Sequence, residues 1–329
     1  MRARRGFAMM AAIWLTVAIA VVALEFARDA KERRLLGIDA AERGAARAAA
    51  LGVLAQTQER LERAIRQVAQ SGNTNTMLRG SDPWLDVDSL YSGSVGSDSA
   101  VQVNLRARDL GAQLNVNLLS EDELKTFFGY ALNDYAIADQ LAQSVMDWRD
   151  PDDIARVKGG ERDDYIKAGL LRLPTNQNFR DVEELLDVKG MTPEVYRLVS
   201  PYLTTMGSAQ VNLNTAPVPV LRVLPGMTDE IVARILALRS RGSRIASVAE
   251  VMPQQRGGMS RDVQNAMAAQ NARSEQQLSA RAGVLTTQLQ VTLLARASHA
   301  AKPVRLRVLM QRSNVNGTPA AGVTAEEWR

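Results

Sequence analysis

Residues 7–24 carry no charge, and at about 1.5 Å of rise per residue the run matches the depth of a bilayer core. Past Leu24 the stretch EFARDAKERRLLGIDAAERGAARAAALGVLAQTQERLERAIRQVAQ has no proline and is rich in Ala, Leu, Glu and Arg. Its apolar residues recur at helical spacing through Leu51, Val53, Leu54, Leu61, Ala64 and Ile65. Gly37, Gly44 and Gly52 weaken it locally. The pattern predicts one helix over residues 7–70, apolar at first and amphipathic later, with spacing too irregular for a sustained coiled coil.

Gly, Ser, Asp and Asn then dominate from SGNTNT onward, which predicts loops. Val101, Val103 and Leu105 alternate with polar residues as a strand does, and AQLNVN continues the strand past a turn at 109–111. Strand patterning returns late, at Leu289, Val291, Leu293 and at Val304, Leu306, Val308, joined through SHAAKP as a hairpin. The tail NVNGTPAAGVTAEEWR reads as irregular and mobile.

Between the strands the chain repeats itself. GAQLNVNLLSEDELKTFF (111–128) aligns with SAQVNLNTAPVPVLRVLP (208–225), each a short strand, an Asn turn and a helix start. Ser120 and Glu123 make a capping box in the first copy, and Pro217 and Pro219 suit an early helical turn in the second. LLDVKGMTPEVYRLV (185–199) also echoes RVLPGMTDEIVARIL (222–236), with Gly190 or Gly226 ending one helix and Thr192 or Thr228 capping the next. A compact all-α block over 118–265 follows, in two units at about 118–207 and 208–265. The flanking strands, 71–117 and 266–329, pair with each other only if this block is an insertion.

Composition narrows the chemistry. The net charge of +4 says little about partners, and the absence of cysteine excludes disulfides, thiolate zinc sites and a cysteine nucleophile. The one histidine, His299, stands in a loop without a partner in sequence, so Ser-His-Asp hydrolysis and polyhistidine metal sites are poor expectations. Seven acids crowd residues 147–164: Asp147, Asp150, Asp152, Asp153, Glu161, Asp163 and Asp164. Clustered carboxylates without His or Cys suit a hard cation such as calcium, and Pro151, Gly159 and Gly160 allow the sharp reversals that gather oxygens. The spacing is not that of an EF-hand, and a solvated acidic loop interleaved with Arg149, Arg156, Lys158 and Arg162 fits the pattern equally. A glycosidase-like acid pair lacks aromatic residues to hold a sugar. Trp148 is expected in the helical core.

The Gly-x-Thr turns resemble helix-hairpin-helix elements of DNA-binding proteins, where backbone amides approach a phosphate. Here the second glycine of that turn is missing, and Glu194, Asp229 and Glu230 follow it and would repel phosphate. Only RSRGSRIAS favours that rival.

The start of the chain carries a further resemblance. MRARRGF, a basic leader ending in Gly6 before Phe7 and an apolar helix, is similar to a type IV pilin-like (class III) leader. In that family a prepilin peptidase cuts after the glycine and the new terminal phenylalanine is methylated; most members carry a glutamate five residues after the cut, where this chain has Ala11. With AQLNVNLLS, MDWRDPDD, GGERDDY, VKGMTPEVYRLVSPYLTT and VNLNTAPVPVLRVLPGM in order, the chain resembles the K minor pseudopilin family of the type II secretion system (general secretion pathway protein K).

The resemblance implies an α+β pilin-like fold, a long N-terminal helix packed on an antiparallel sheet, with two helix-hairpin-helix or SAM-like units inserted between strands. It implies a leader at 1–6, a single-pass inner-membrane anchor and a periplasmic domain. It implies assembly with the I and J minor pseudopilins and other pseudopilus subunits at the tip of a periplasmic filament, with no enzyme activity and no nucleic acid. It implies bound calcium, with Asp150, Asp152, Asp153, Glu161, Asp163 and Asp164 as candidate ligands. Ala11 fits a tip position, since the usual glutamate neutralises the buried amino terminus of a neighbouring subunit, and a tip subunit lacks that neighbour. A helix-hairpin-helix DNA-uptake protein, a minor pilin of another type IV filament and an anchored periplasmic enzyme are the alternatives.

Overall fold

The computed structural model describes residues 3–70, 84, 92–95, 101–253, 261–298, 302–315 and 318–328. His299 and the side chains of Gly6, Phe7 and Ala11 lie outside the described set. In chain order the elements are α1 (Ala3–Gln70), β1 (Ser92–Val95), β2 (Val101–Asp109), β3 (Leu114–Asn115), α2 (Glu121–Leu132), α3 (Tyr135–Arg149), α4 (Arg162–Lys167), α5 (Pro193–Val199), β4 (Leu203–Thr204), β5 (Val211–Asn212), α6 (Val218–Leu221), α7 (Asp229–Ser240), α8 (Arg261–Ser279), β6 (Ala282–Gly283), β7 (Gln288–Ala297), β8 (Val304–Val315) and β9 (Thr318–Trp328).

An antiparallel five-stranded sheet runs in the order β1-β2-β7-β8-β9. Val101, Val103 and Leu105 of β2, Leu289, Val291 and Leu293 of β7, and Leu306 and Val308 of β8 point to one face, as strand alternation requires. There they pack on Ala46, Ala50, Val53, Leu54, Leu61 and Ile65, the amphipathic stripe of α1. Trp84 completes this core, with the Arg312 guanidinium 5.2 Å from its ring centroid.

The helical block is an insertion at one end of that sheet. It leaves at Asp109 and returns at Gln288, and Asp109 stands opposite Leu289 across the ladder. That end is also the C-terminal end of α1. Arg47 stacks on Trp328, which is paired with Leu306 far from the insertion, whereas Gln58 bonds the carbonyl of Ala321, paired with Arg312 beside Thr287. The inserted block therefore leaves the sheet at the end toward which the C-terminus of α1 runs, opposite the apolar N-terminal run.

Several sequence expectations are corrected. The tail is a strand: β9 pairs with β8 from Val315↔Thr318 to Leu306↔Trp328, buries Ala321, and carries Pro319 where an edge strand tolerates a missing donor. The insertion is not all-α. AQLNVN does not extend the main sheet; β3 pairs in parallel with β4, and β5 likewise with β6, in two-residue ladders too short to leave a period in the sequence. A boundary at residue 265 would also cut through α8.

The insertion has its own core, and its repeat is deeper than the aligned segments. Asn115 and Asn212 each accept the amide of the residue two ahead, Asn117 and Asn214. Asn117 exchanges two hydrogen bonds with the Phe179 backbone; Asn214 exchanges two with the Ile245 backbone and donates a third to the Val284 carbonyl. Arg149, ending α3, donates to the carbonyls of Val116 and Leu119; Arg239, near the end of α7, donates to those of Leu213 and Ala216, the aligned positions. Two modules of one architecture thus sit in tandem. They differ where the chain leaves the arginine: residues 240–244 link Arg239 to Ile245, whereas the first module spends residues 150–178 before Phe179.

Candidate functional site

That extra segment of the first module holds the acidic cluster. α3 begins at an Asp134 cap, buries Leu141, Val145 and Trp148, and ends at Arg149, while Asp150 is extended. Trp148 stacks on Phe179 at 6.2 Å and lies 5.8 Å from Tyr165, so it is core. Asp147 sits on the same buried side of α3 and is fully covered, which only hydrogen bonding makes tolerable. Its Oδ2 accepts from the amides of Arg156 (3.0 Å) and Gly160 (2.7 Å), and its Oδ1 from the Arg156 guanidinium (2.5 Å). Gly159 must be glycine, because a Cβ there would overlap the Asp147 carboxylate.

Oxygens of Asp147, Asp150 and Glu161 converge within 4.8 Å of one another. Arg156 also reaches Asp150 at 2.5 Å and Glu121 at 3.1 Å. Burial lowers its pKa, but the bonds to Asp150 and Asp147 outweigh that and leave it raised. Glu161, only 5% exposed, has neither carboxylate oxygen hydrogen-bonded, and Asp150 Oδ1 is a third buried oxygen without a donor. Burial first, then the charges of Asp147 and Asp150, push Glu161 up to about 7. One guanidinium does not satisfy three carboxylates.

The other sequence candidates do not join this triad. Asp152 accepts from the Ile154 amide, Asp153 holds the Asn176 side chain at 3.1 Å, and Asp164 accepts from the Glu161 amide. Asp163 is exposed on α4. Asp147 is the member that pattern reading counted among the acids but did not choose; its signal was a carboxylate beside Trp148 at the end of a buried helix stripe. Around the site, Lys189 donates to the Gly159 carbonyl (2.7 Å), and Asp139 ties Lys125 to Lys158 at 2.7 and 2.6 Å. Those two lysines hold the partly buried Asp139 at about 2.

Three hard oxygen donors from α3, the residue after it and the start of α4 suit a divalent cation, and the three donorless oxygens fit that role. For the phosphate-binding rival, Arg239 of RSRGSR is spent on backbone carbonyls inside its module, and burial lowers it to about 10. Among the described residues no helix is long and apolar enough to cross a membrane.

Two family models, both described as type II secretion system (T2SS), protein K, match residues 112–208 and 211–291, together more than half of the chain. The chain belongs to the type II secretion system protein K family. Each matched stretch coincides with one inserted module. Protein K of Pseudomonas aeruginosa is 27% identical over 151 residues, 41% of this chain and 45% of that protein. Protein K of Dickeya chrysanthemi is 32% identical over 80 residues, 24% of this chain and 22% of that one. The putative protein K of Escherichia coli K12 is 28% identical over 125 residues, 34% of this chain and 38% of that one. The matches thus span less than half the length of these curated relatives.

A chain of the crystal structure of the GspK-GspI-GspJ complex from enterotoxigenic Escherichia coli superposes with a TM-score of 0.59 at 17% identity. The match covers 86% of this chain and 96% of that one, and it establishes the fold. Protein K family members are structural subunits of the secretion apparatus, and membership implies a place in the periplasmic envelope.

Proposed function

We propose that this chain is the minor pseudopilin that caps and initiates the periplasmic pseudopilus of a type II secretion system, supporting export of folded proteins across the outer membrane. The observation that carries this reading is that the two modules leave the sheet at the end toward which the C-terminus of α1 runs. In a filament built on parallel α1 helices, that end faces the next subunit, and a block this bulky leaves no room for one. Ala11 supports the same position, since a subunit without the glutamate has nothing to offer a neighbouring amino terminus.

The leader is removed after Gly6 by prepilin peptidase, Phe7 becomes the methylated terminus, and the apolar run anchors the chain once in the inner membrane. The I and J minor pseudopilins are its immediate partners; the structural neighbour named for a GspK-GspI-GspJ complex supports that choice. The inserted modules act as helix-hairpin-helix, SAM-like building blocks rather than DNA readers: acids follow both Gly-x-Thr turns, Glu194 in one and Asp229 and Glu230 in the other. N-terminal mass analysis of protein from its native host tests the class. A chain starting at methylated Phe7 is expected, and an intact Met1 overturns it.

Calcium is the proposed cation, held by Asp147, Asp150 and Glu161, with Asp152 and Asp153 lending charge from the rim. When bound, the ion supplies charge neutralisation that pins the 150–178 segment to α3. Calcium chloride is expected to raise the unfolding midpoint of the wild type but not of Asp147→Asn or Glu161→Gln. An equal rise in all three would remove the triad from the site.

A further inference from the structure

We propose that an extended segment of a partner protein, with carboxylates at alternate positions, docks in an arginine-lined groove on the outer face of the sheet where it meets the first module. α1 covers one face of the sheet. On the other face stand Arg106 and Arg108 of β2, Gln290 and Thr292 of β7, and Arg305 and Arg307 of β8. Arg106 and Arg307 flank Thr292 in one cross-strand row, and Arg305 lies opposite Leu294 in the next.

Two hollows, of about 460 and 200 Å³, share Arg108, Gln290 and Arg307 and so form one groove. The inserted module walls its far end with Tyr196 and Ser200. Arg106, Arg108 and Arg305 are exposed, and among the described residues none of the three forms an ion pair. Arg307 already meets two carboxylates, Asp181 of the insertion and Glu327 of β9, both at 3.4 Å. The groove thus takes carboxylates from two directions while three guanidiniums remain available.

Spacing selects the partner's shape. Residues two apart on a strand are about 7 Å apart, so acids at alternate positions of an extended chain match Arg106 with Arg108 or Arg305 with Arg307. Guanidinium forks bind carboxylates in bidentate fashion, which gives register as well as attraction. A lipid headgroup is out of reach. The sheet first packs on α1 at Ala46, roughly 33 Å of helix past Leu24, several times the ~8 Å range of charge in physiological salt. Single-stranded nucleic acid is disfavoured because, among the described residues, the groove offers one aromatic, Tyr196 at its far wall, where stacking successive bases takes several.

The test uses the full chain in non-ionic detergent and a dye-labelled peptide of alternating Glu and Ser, read by anisotropy at low salt. The double variant Arg106→Gln/Arg305→Gln is expected to weaken binding by roughly tenfold. Arg241→Gln, an exposed arginine of the second module, should change it by less than about twofold. Matching unfolding midpoints of variant and wild type show that the fold is kept; if the double variant unfolds, Arg108→Gln alone carries the same expectation. Equal loss in Arg241→Gln, or no loss in either groove variant, overturns the proposal. Tighter binding of an oligothymidylate with the same arginine dependence would make the groove a nucleic-acid surface and also overturn it.

Discussion

Asp109 holds the inserted modules to the sheet. Its carboxylate accepts from the Gly111 amide, Asn212 Nδ2, Thr215 Oγ1 and Thr286 Oγ1, joining the end of β2 to the second module and to the returning chain. Asp109→Asn puts an amide donor among these donors and is expected to lower stability by about 2 kcal/mol in chemical unfolding. Glu161 gives a second prediction, with its sign fixed by burial. Its folded pKa is raised to about 7 from 4.5, so the cation-free protein gains stability below about 4.5 and loses it as pH rises through 7. Glu161→Gln removes that slope and, without calcium, should be the more stable form at pH 8 (about pH 8 being fully above the raised value). A steeper slope in the variant would contradict the placement of the charge.

At the scale of elements, the two modules use the same devices, and each device has a cost when removed. Arg239 spans the carbonyls of Leu213 and Ala216 with a planar fork that a lysine cannot reproduce. Arg239→Lys and Arg149→Lys are each expected to cost about 1–3 kcal/mol and to lower the unfolding midpoint. Gly226, at φ +79°, joins the residue before α7, where Thr228 caps the helix, to the end of the preceding turn. Gly226→Ala should cost more than about 1 kcal/mol, because it adds a left-handed strain to a Cβ only 3.0 Å from the Ser274 carbonyl. These devices were partly legible in the sequence. The Ser120–Glu123 box and the caps Thr192 and Thr228 form as their spacing predicts, because capping is local chemistry. The paired arginines were not, since their partners lie 23 to 33 residues away and are backbone carbonyls that no residue type announces. β9 was missed for a related reason: its pairing with β8 supplies an order that its small, mixed side chains do not encode.

At the scale of the whole molecule, the amphipathic stripe of α1 and the alternating strands foretold the pilin-like half, because burial on one face is what those periods mean. The convergence of carboxylates was foretold as a neighbourhood and not as the particular three that meet. Which acids converge depends on the turn at Gly159 and Gly160, which brings Glu161 back onto α3, and on Arg156, which draws Asp147 and Asp150 together. The direction of the insertion came only from the registers of β8 and β9 against α1, and it is the feature on which the proposed tip position depends. The most direct test is to label the insertion at an exposed position such as Arg241 and to image pseudopili assembled with the labelled chain. The account predicts label at one end of each filament and none along its length. Label repeated along the shaft would contradict it.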